Sequence, residues 1–140
     1  MLLLDEAVHI DARSGSALVT VTDNSTFYIP GKGVPAWVGL EYMGQTAALI
    51  GGLQQQAGVL ADHTGFLLGS RQFSTTLCWF GIGTTLLIQC EQTALVGDSL
   101  ANFSAEIRRY DAPDDQPLAS AILSVFRQAP NDEKSSELPS

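Results

Sequence analysis

Glu41 is the group in this chain best placed to do chemistry. It is the one charged residue in an apolar stretch that runs over residues 36–56. A carboxyl group is expensive to keep unpaired among apolar side chains, so its presence there points to a use. Burial of that kind suits an acid that must hold a proton near neutral pH. Gln45 stands four residues further on, which on a helix puts it on the same face as Glu41. There it could orient the carboxyl group or a water molecule. An acid so placed can protonate a departing group, and that chemistry also needs a base. The two histidines are the candidates, and each has a simpler reading. His9 falls in an alternating segment, as a partly exposed strand residue would. His63 falls in the turn ADHTG, residues 61–65, as a solvated loop residue would. The alternative for Glu41 itself is a paired carboxylate that closes a subunit contact.

The elements that must hold these groups follow from pattern. Pro35 stands directly before the apolar stretch, a favoured place for proline at a helix start. Residues 36–56 are therefore predicted to form one long helix, apolar on nearly every side and so buried. Its glycines, Gly39, Gly44, Gly51 and Gly52, each cost about 1 kcal/mol of helix propensity. Close approach of another backbone is what such a helix gains in return. Upstream, residues 7–11 and 17–22 alternate around RSGS, residues 13–16, which predicts a β-hairpin. Residues 23–35 read as a loop broken by Pro30, Gly31, Gly33 and Pro35. Downstream, strands are predicted over 65–74, 84–92, 100–110 and 118–127, with DAPDD at 111–115 as the last turn.

Hairpin, loop, one apolar helix and four strands make an α+β domain over residues 1–128, in which a curved antiparallel sheet covers the helix. Such a sheet protects an exposed edge by pairing with a second subunit. Residues 129–140 are a polar tail expected to lack fixed structure.

The whole chain narrows the function classes further. Its 140 residues suit one domain, and its net charge of -8 argues against a nucleic-acid partner. Cys78 and Cys90 lie twelve positions apart, with no CxxC pair and no zinc spacing to His9 or His63. They are expected to be buried free thiols in a reducing compartment. There is no phosphate loop and no Ser-His-Asp arrangement. No apolar run reaches the roughly 20 residues that a membrane span needs, and the opening MLLLDE is too short and acidic for a signal peptide. The expectation is a cytoplasmic protein.

The segment VPAWVGLEYMGQ, residues 34–45, resembles the central-helix signature of the ApeP-like proteins. These are hotdog-fold 3-hydroxyacyl-[acyl-carrier-protein] dehydratases of aryl polyene biosynthesis. MLLLDE at 1–6 and GFLLGSR at 65–71 resemble the same family's opening and its post-helix strand. A more distant similarity is to the FabZ-like fatty acid dehydratases, through a proline-glycine loop followed by a helix with Glu and Gln.

The resemblance implies a hotdog fold, with one long central helix wrapped by a curved antiparallel sheet. It implies Glu41 and Gln45 as catalytic residues. Pro35 and Ala36 fall on the start of the helix, whose backbone N–H would meet a thioester carbonyl. Gly69 falls beside the acyl tunnel, which Tyr28, Trp37, Phe66 and Phe73 could also line. Arg71 and Lys32 could meet a phosphopantetheine phosphate or an acidic carrier protein. No cofactor is implied, because the substrate rides on the phosphopantetheine of acyl carrier protein. The related fatty acid enzymes carry a catalytic histidine in the loop before the helix, yet TFYIPGKGVP, residues 26–35, has none. The resemblance therefore implies a composite site, with the histidine supplied by a second hotdog subunit in a heterodimer, or else a homodimer of this chain. Two other functions stay open: a non-catalytic subunit that stabilises an active partner, and an acyl-thioester hydrolase in which Glu41 activates water.

Overall fold

The computed structural model describes residues 2–56, 66–96 and 100–127. His63 and the polar tail at 129–140 lie outside the described residues. The chain opens with a hairpin of β1 (Glu6–Ile10) and β2 (Ser14–Thr20). The reversal comes earlier than the sequence predicts. The Asp11 carboxylate accepts the N–H groups of Arg13 and Ser14, both at 2.8 Å, and the Ser14 hydroxyl at 3.0 Å. An aspartate that satisfies the next backbone donors makes its own turn. Residues 14–16, expected in the turn, therefore join β2.

Two short strands escape the sequence pattern: β3 (Val34–Pro35) pairs antiparallel with β5 (Trp79–Phe80). Pro35 thus closes a strand rather than opening the helix. The Ala36 N–H is held by the Cys78 carbonyl at 2.9 Å, and the helix α1 begins only at Val38, running Val38–Gln56. The remaining strands are β4 (Phe66–Thr75), β6 (Thr85–Val96), β7 (Leu100–Arg109) and β8 (Ala119–Arg127). Three of these lie close to the predicted spans. The fourth, β6, runs past residue 92 because a bulge between Gln92 and Ala94 resets its alternation. The large sheet is antiparallel throughout, in the order β1-β2-β6-β7-β8-β4.

The core lies between this sheet and α1. Ala17 and Val19, then Leu86, Ile88 and Cys90, then Phe103, Ala105 and Ile107, point inward at every second position. From α1 they meet Val38, Tyr42, Met43, Ala47 and Ile50, all buried. Each large apolar side chain so buried contributes about 1.5–3 kcal/mol. Thr46 is buried with them, and its hydroxyl donates to the Tyr42 carbonyl at 2.9 Å. Gly39 is closely approached, though by side chains rather than by the backbone expected of the helix glycines. A Cβ there would stand 2.9 Å from Ile107 Cδ1 and 3.2 Å from Phe80 Cζ.

One expectation needs correction. The helix is not buried all round, because the sheet covers only the face that rests on β2, β6 and β7. On the opposite face Trp37, Glu41 and Ala48 are exposed, and Gly44 and Gln45 are half-buried. That stripe repeats at helical spacing, and Trp37 is the one large apolar side chain in it. Among the described residues, no helix is long and apolar enough to cross a membrane.

Candidate active site

Glu41 sits in the first turn of α1, where a carboxylate complements the positive end of the helix. Its side chain faces outward from the sheet and is exposed in the single chain. The burial expected from its apolar neighbours in sequence is not supplied by its own fold. Gln45 shares the stripe, and its side-chain oxygen accepts the Leu3 N–H at 2.7 Å.

The backbone at the helix start departs from expectation in one respect. The N–H of Ala36 is already engaged by Cys78 and cannot meet a substrate carbonyl. The next two N–H groups, of Trp37 and Val38, make no hydrogen bond among the described residues. Gly39 and Leu40 donate back to Ala36 and Trp37 at 2.9 and 3.1 Å, which tightens the first turn. Val38 is fully buried, so the donor of this helix end that a ligand can reach belongs to Trp37.

Beside that end lies an open apolar groove of about 730 Å³, lined by Phe27, Tyr28, Ile29, Pro35, Trp37, Cys78 and Trp79. Of the residues expected along an acyl tunnel, Tyr28 and Trp37 line it and Phe73 packs against the core instead. The side chain of Phe66 lies outside the described residues. Phe27, Ile29 and Trp79 were not legible as liners, because the β3–β5 pairing that assembles the groove is two residues long. Phe27 is held at a φ of 70°, a left-handed conformation that is costly for a bulky residue. Its ring packs against Trp37, centroids 5.4 Å apart. Lys32 sits over Trp79, its Nζ 5.3 Å from the ring centroid.

The other candidates lie elsewhere. Gly69 and Arg71 are exposed on β4, the edge strand beyond β8. A Cβ on Gly69 would make only an ordinary 3.9 Å contact with the Ser124 carbonyl oxygen. Arg71 forms no ion pair among the described residues. His9 pairs with Asp11 at 2.8 Å and lines a groove of about 280 Å³ with Ser14, Ser16, Gln89, Glu91, Ser104 and Glu106. Those strand residues point away from the core, so the groove is on the outer face of the sheet. His9 is therefore separated from Glu41 by the sheet and cannot act as its base within one chain. The cysteine expectation also splits. Cys90 is buried, with its thiol on the Met43 carbonyl, and burial pushes it up to about 12. Cys78 is exposed at the groove.

The ApeP-like family, described as ApeP dehydratase, matches residues 1–137. The chain belongs to the ApeP-like dehydratase family. A comparison with curated proteins returned no match. Among solved structures, the chain is similar to the dehydratase heterocomplex ApeI:P from Xenorhabdus doucetiae. The TM-score is 0.76 at 21% identity, over 91% of this chain and 83% of that one. It is also similar to a hypothetical thioesterase from Streptococcus pneumoniae with coenzyme A, at TM-score 0.68, 11% identity, and 89% and 85% coverage. A third likeness is to a mutant of the phenylacetic acid degradation protein PaaI from Thermus thermophilus. There the TM-score is 0.65 at 11% identity, over 88% of this chain and 92% of that one. At these identities the likeness shows the fold, which is the expected hotdog. Within this ApeP-like chain, residues 34–45 supply most of the outward stripe of α1 as well as part of its inward face.

Proposed function

We propose that this chain is a subunit of a 3-hydroxyacyl-[acyl-carrier-protein] dehydratase serving aryl polyene or related fatty-acid-like synthesis. Its site is composite, with Glu41 from this chain and a histidine from a second hotdog subunit. The observation that carries the reading is Glu41 itself. It stands on a helix face left open by its own sheet, near the unused N–H of Trp37 and an apolar groove, with no histidine of the described residues on that side. The name of the Xenorhabdus relative, a dehydratase heterocomplex, supports a two-subunit arrangement.

In this site the partner's histidine removes a proton from C2 of the acyl thioester, and Glu41 protonates the hydroxyl leaving C3. Water departs and an enoyl thioester remains. The Trp37 N–H polarises the thioester carbonyl as negative charge develops on it. The groove of Phe27, Ile29, Trp37 and Trp79 takes the acyl chain. Lys32 and Arg71 meet the phosphate of the carrier's prosthetic arm or the acidic carrier itself.

The test mixes this protein with a histidine-bearing hotdog subunit and a 3-hydroxyacyl carrier substrate, and follows the enoyl product. Glu41→Gln should lower the rate by about 100-fold or more, the usual span of one acid–base group. Full activity of the mutant mixture would end the proposal. A second reading, a non-catalytic partner subunit, is favoured by Gln45 and Ala36. Both groups are engaged inside the chain, by Leu3 and Cys78. Dehydration that needs the presence of this chain but not its Glu41 would select that reading. Free acid with released thiol would select a hydrolase instead.

A further inference from the structure

The segment Leu2 to Asp5 runs between the edge of the sheet and the helix face that carries Glu41. It is tied down at both ends. Asp5 donates its N–H to the Leu18 carbonyl at 2.9 Å, and its carboxylate accepts the Thr20 N–H at 2.6 Å. Leu4 is buried in the core, and Leu3 packs against it. At the other end the Leu3 N–H donates to Gln45 Oε1 at 2.7 Å. A polar cavity of about 130 Å³ lies beneath the segment, lined among others by Leu2, Leu3, Asp5, Thr20 and Tyr42. The segment therefore does not lie flush on this turn of α1, and the Leu3–Gln45 bond is a direct tie between them.

A backbone N–H can only donate, so this bond fixes which end of the Gln45 carboxamide faces the segment. It is the oxygen. Gln45 is one helical turn from Glu41, and α1 has sheet on its other side only. A tie at Gln45 therefore bears on where the outward stripe sits. We propose that Leu2 to Asp5 form a strap that sets the position of Glu41, and that Gln45 is a positioning residue acting through this strap. Gln45 is then not a group that touches substrate. The kinetic part of this inference rests on the dehydratase reading above.

The test uses the assembled two-subunit complex and three variants. Gln45→Met removes the acceptor at nearly constant length. Gln45→Glu keeps an oxygen for the Leu3 N–H but carries no N–H group. Leu3→Pro removes the donor. Gln45→Met and Leu3→Pro should each lower kcat about 10-fold or more with KM within about 2-fold, as misplacement of a reacting group does. Their double variant should be no slower than either alone, because both cut the same bond. Gln45→Glu should stay within about 3-fold of the parent at the plateau of its own pH profile, since the added charge beside Glu41 moves that profile.

Amide exchange gives a readout independent of turnover. Protection of the Leu3 N–H should be lost in Gln45→Met and kept in Gln45→Glu. Equal impairment of the Met and Glu variants would overturn the inference, since the N–H group of Gln45 would then carry the effect. An unimpaired Gln45→Met complex would overturn it too, as would unchanged Leu3 protection in that variant. If the parent complex shows no Glu41-dependent turnover, the dehydratase reading fails by itself, and the exchange measurement still decides the strap.

Discussion

Replacing Gly33 with alanine should loosen the loop that carries Phe27, Ile29 and Lys32. Gly33 is buried at a φ of 116°, a conformation that a residue with a Cβ rarely adopts. Its N–H and carbonyl both bond to Ile29, at 3.0 and 2.8 Å, which closes the loop. The conformational strain alone is worth about 1–3 kcal/mol. A Cβ would also overlap the Phe80 carbonyl oxygen, with the Phe80 carbonyl carbon at 3.0 Å and Gly81 Cα at 3.3 Å. All three are backbone atoms of the β5 end, so no side chain can rotate away, and overpacking adds about 1–3 kcal/mol. The sum, about 2–6 kcal/mol, is a large part of a typical domain's total of about 5–15 kcal/mol. Gly31→Ala is the control. Gly31 also has a positive φ, 80°, but nothing lies within 4 Å of its would-be Cβ. It should lose about 1–2 kcal/mol, the left-handed penalty without the clash. The assay is urea unfolding of both variants, with equal m-values licensing the comparison of midpoints. The Gly33→Ala melting temperature should fall by about 10 °C or more. A Gly33→Ala protein as stable as Gly31→Ala would refute the tight β3–β5 contact and, with it, the described groove wall.

Four further outcomes are expected. Stability should fall as pH rises from about 9 towards about 12. Burial pushes both Cys90 and Tyr42 up to about 12 from ordinary values of 9.0 and 10.0, with the Asp5 charge adding to Tyr42, so the unfolded chain ionises first. The Cys90→Ala and Tyr42→Phe variants should each flatten part of that loss in alkaline denaturation, and an unchanged slope would contradict the burial. At neutral pH, Tyr42→Phe should cost about 1 kcal/mol, because its buried hydroxyl faces a polar cavity roomy enough for a bonded water; a gain in the unfolding midpoint would mean the cavity is dry. A thiol reagent should label Cys78 rapidly in the native protein and Cys90 only after unfolding, as mass spectrometry would show; equal rates would contradict the packing. The Arg13 N–H, then His9 and Ser14, hold the Asp11 carboxyl well below the usual range. Its stabilisation of the β1–β2 hairpin should therefore be full above the ordinary carboxylate range and be lost progressively as pH falls below that range towards the depressed value. Asp11→Ala should remove that pH dependence in the amide exchange of β1.

The elements were largely legible because the longer strands show period two, as in β2 and β7, and α1 is a long apolar run. What was lost is instructive in particular places. Val34–Pro35 and Trp79–Phe80 are too short to show a period, so the groove they assemble was hidden. Asp11 moved the first turn by bonding locally, which outweighed the turn composition at 13–16. Nothing in a phenylalanine signals a left-handed backbone, so the placing of Phe27 against Trp37 comes from the surrounding loop. The bond from Leu3 to Gln45 joins residues 42 apart, beyond any local pattern. Glu41 shows the deepest limit. Apolar composition reports that a helix has a face to bury, not which positions its own sheet leaves uncovered.

The two sides of α1 are accordingly under different authorship. Val38, Tyr42, Met43, Ala47 and Ile50 must be read together with strands of the same polypeptide, so substitutions there need compensation in cis. Glu41, Gly44 and Ala48 face away from those strands and make few such demands. Under the proposed two-subunit site, those outer positions are where a change of partner would be written without disturbing the sheet-facing core.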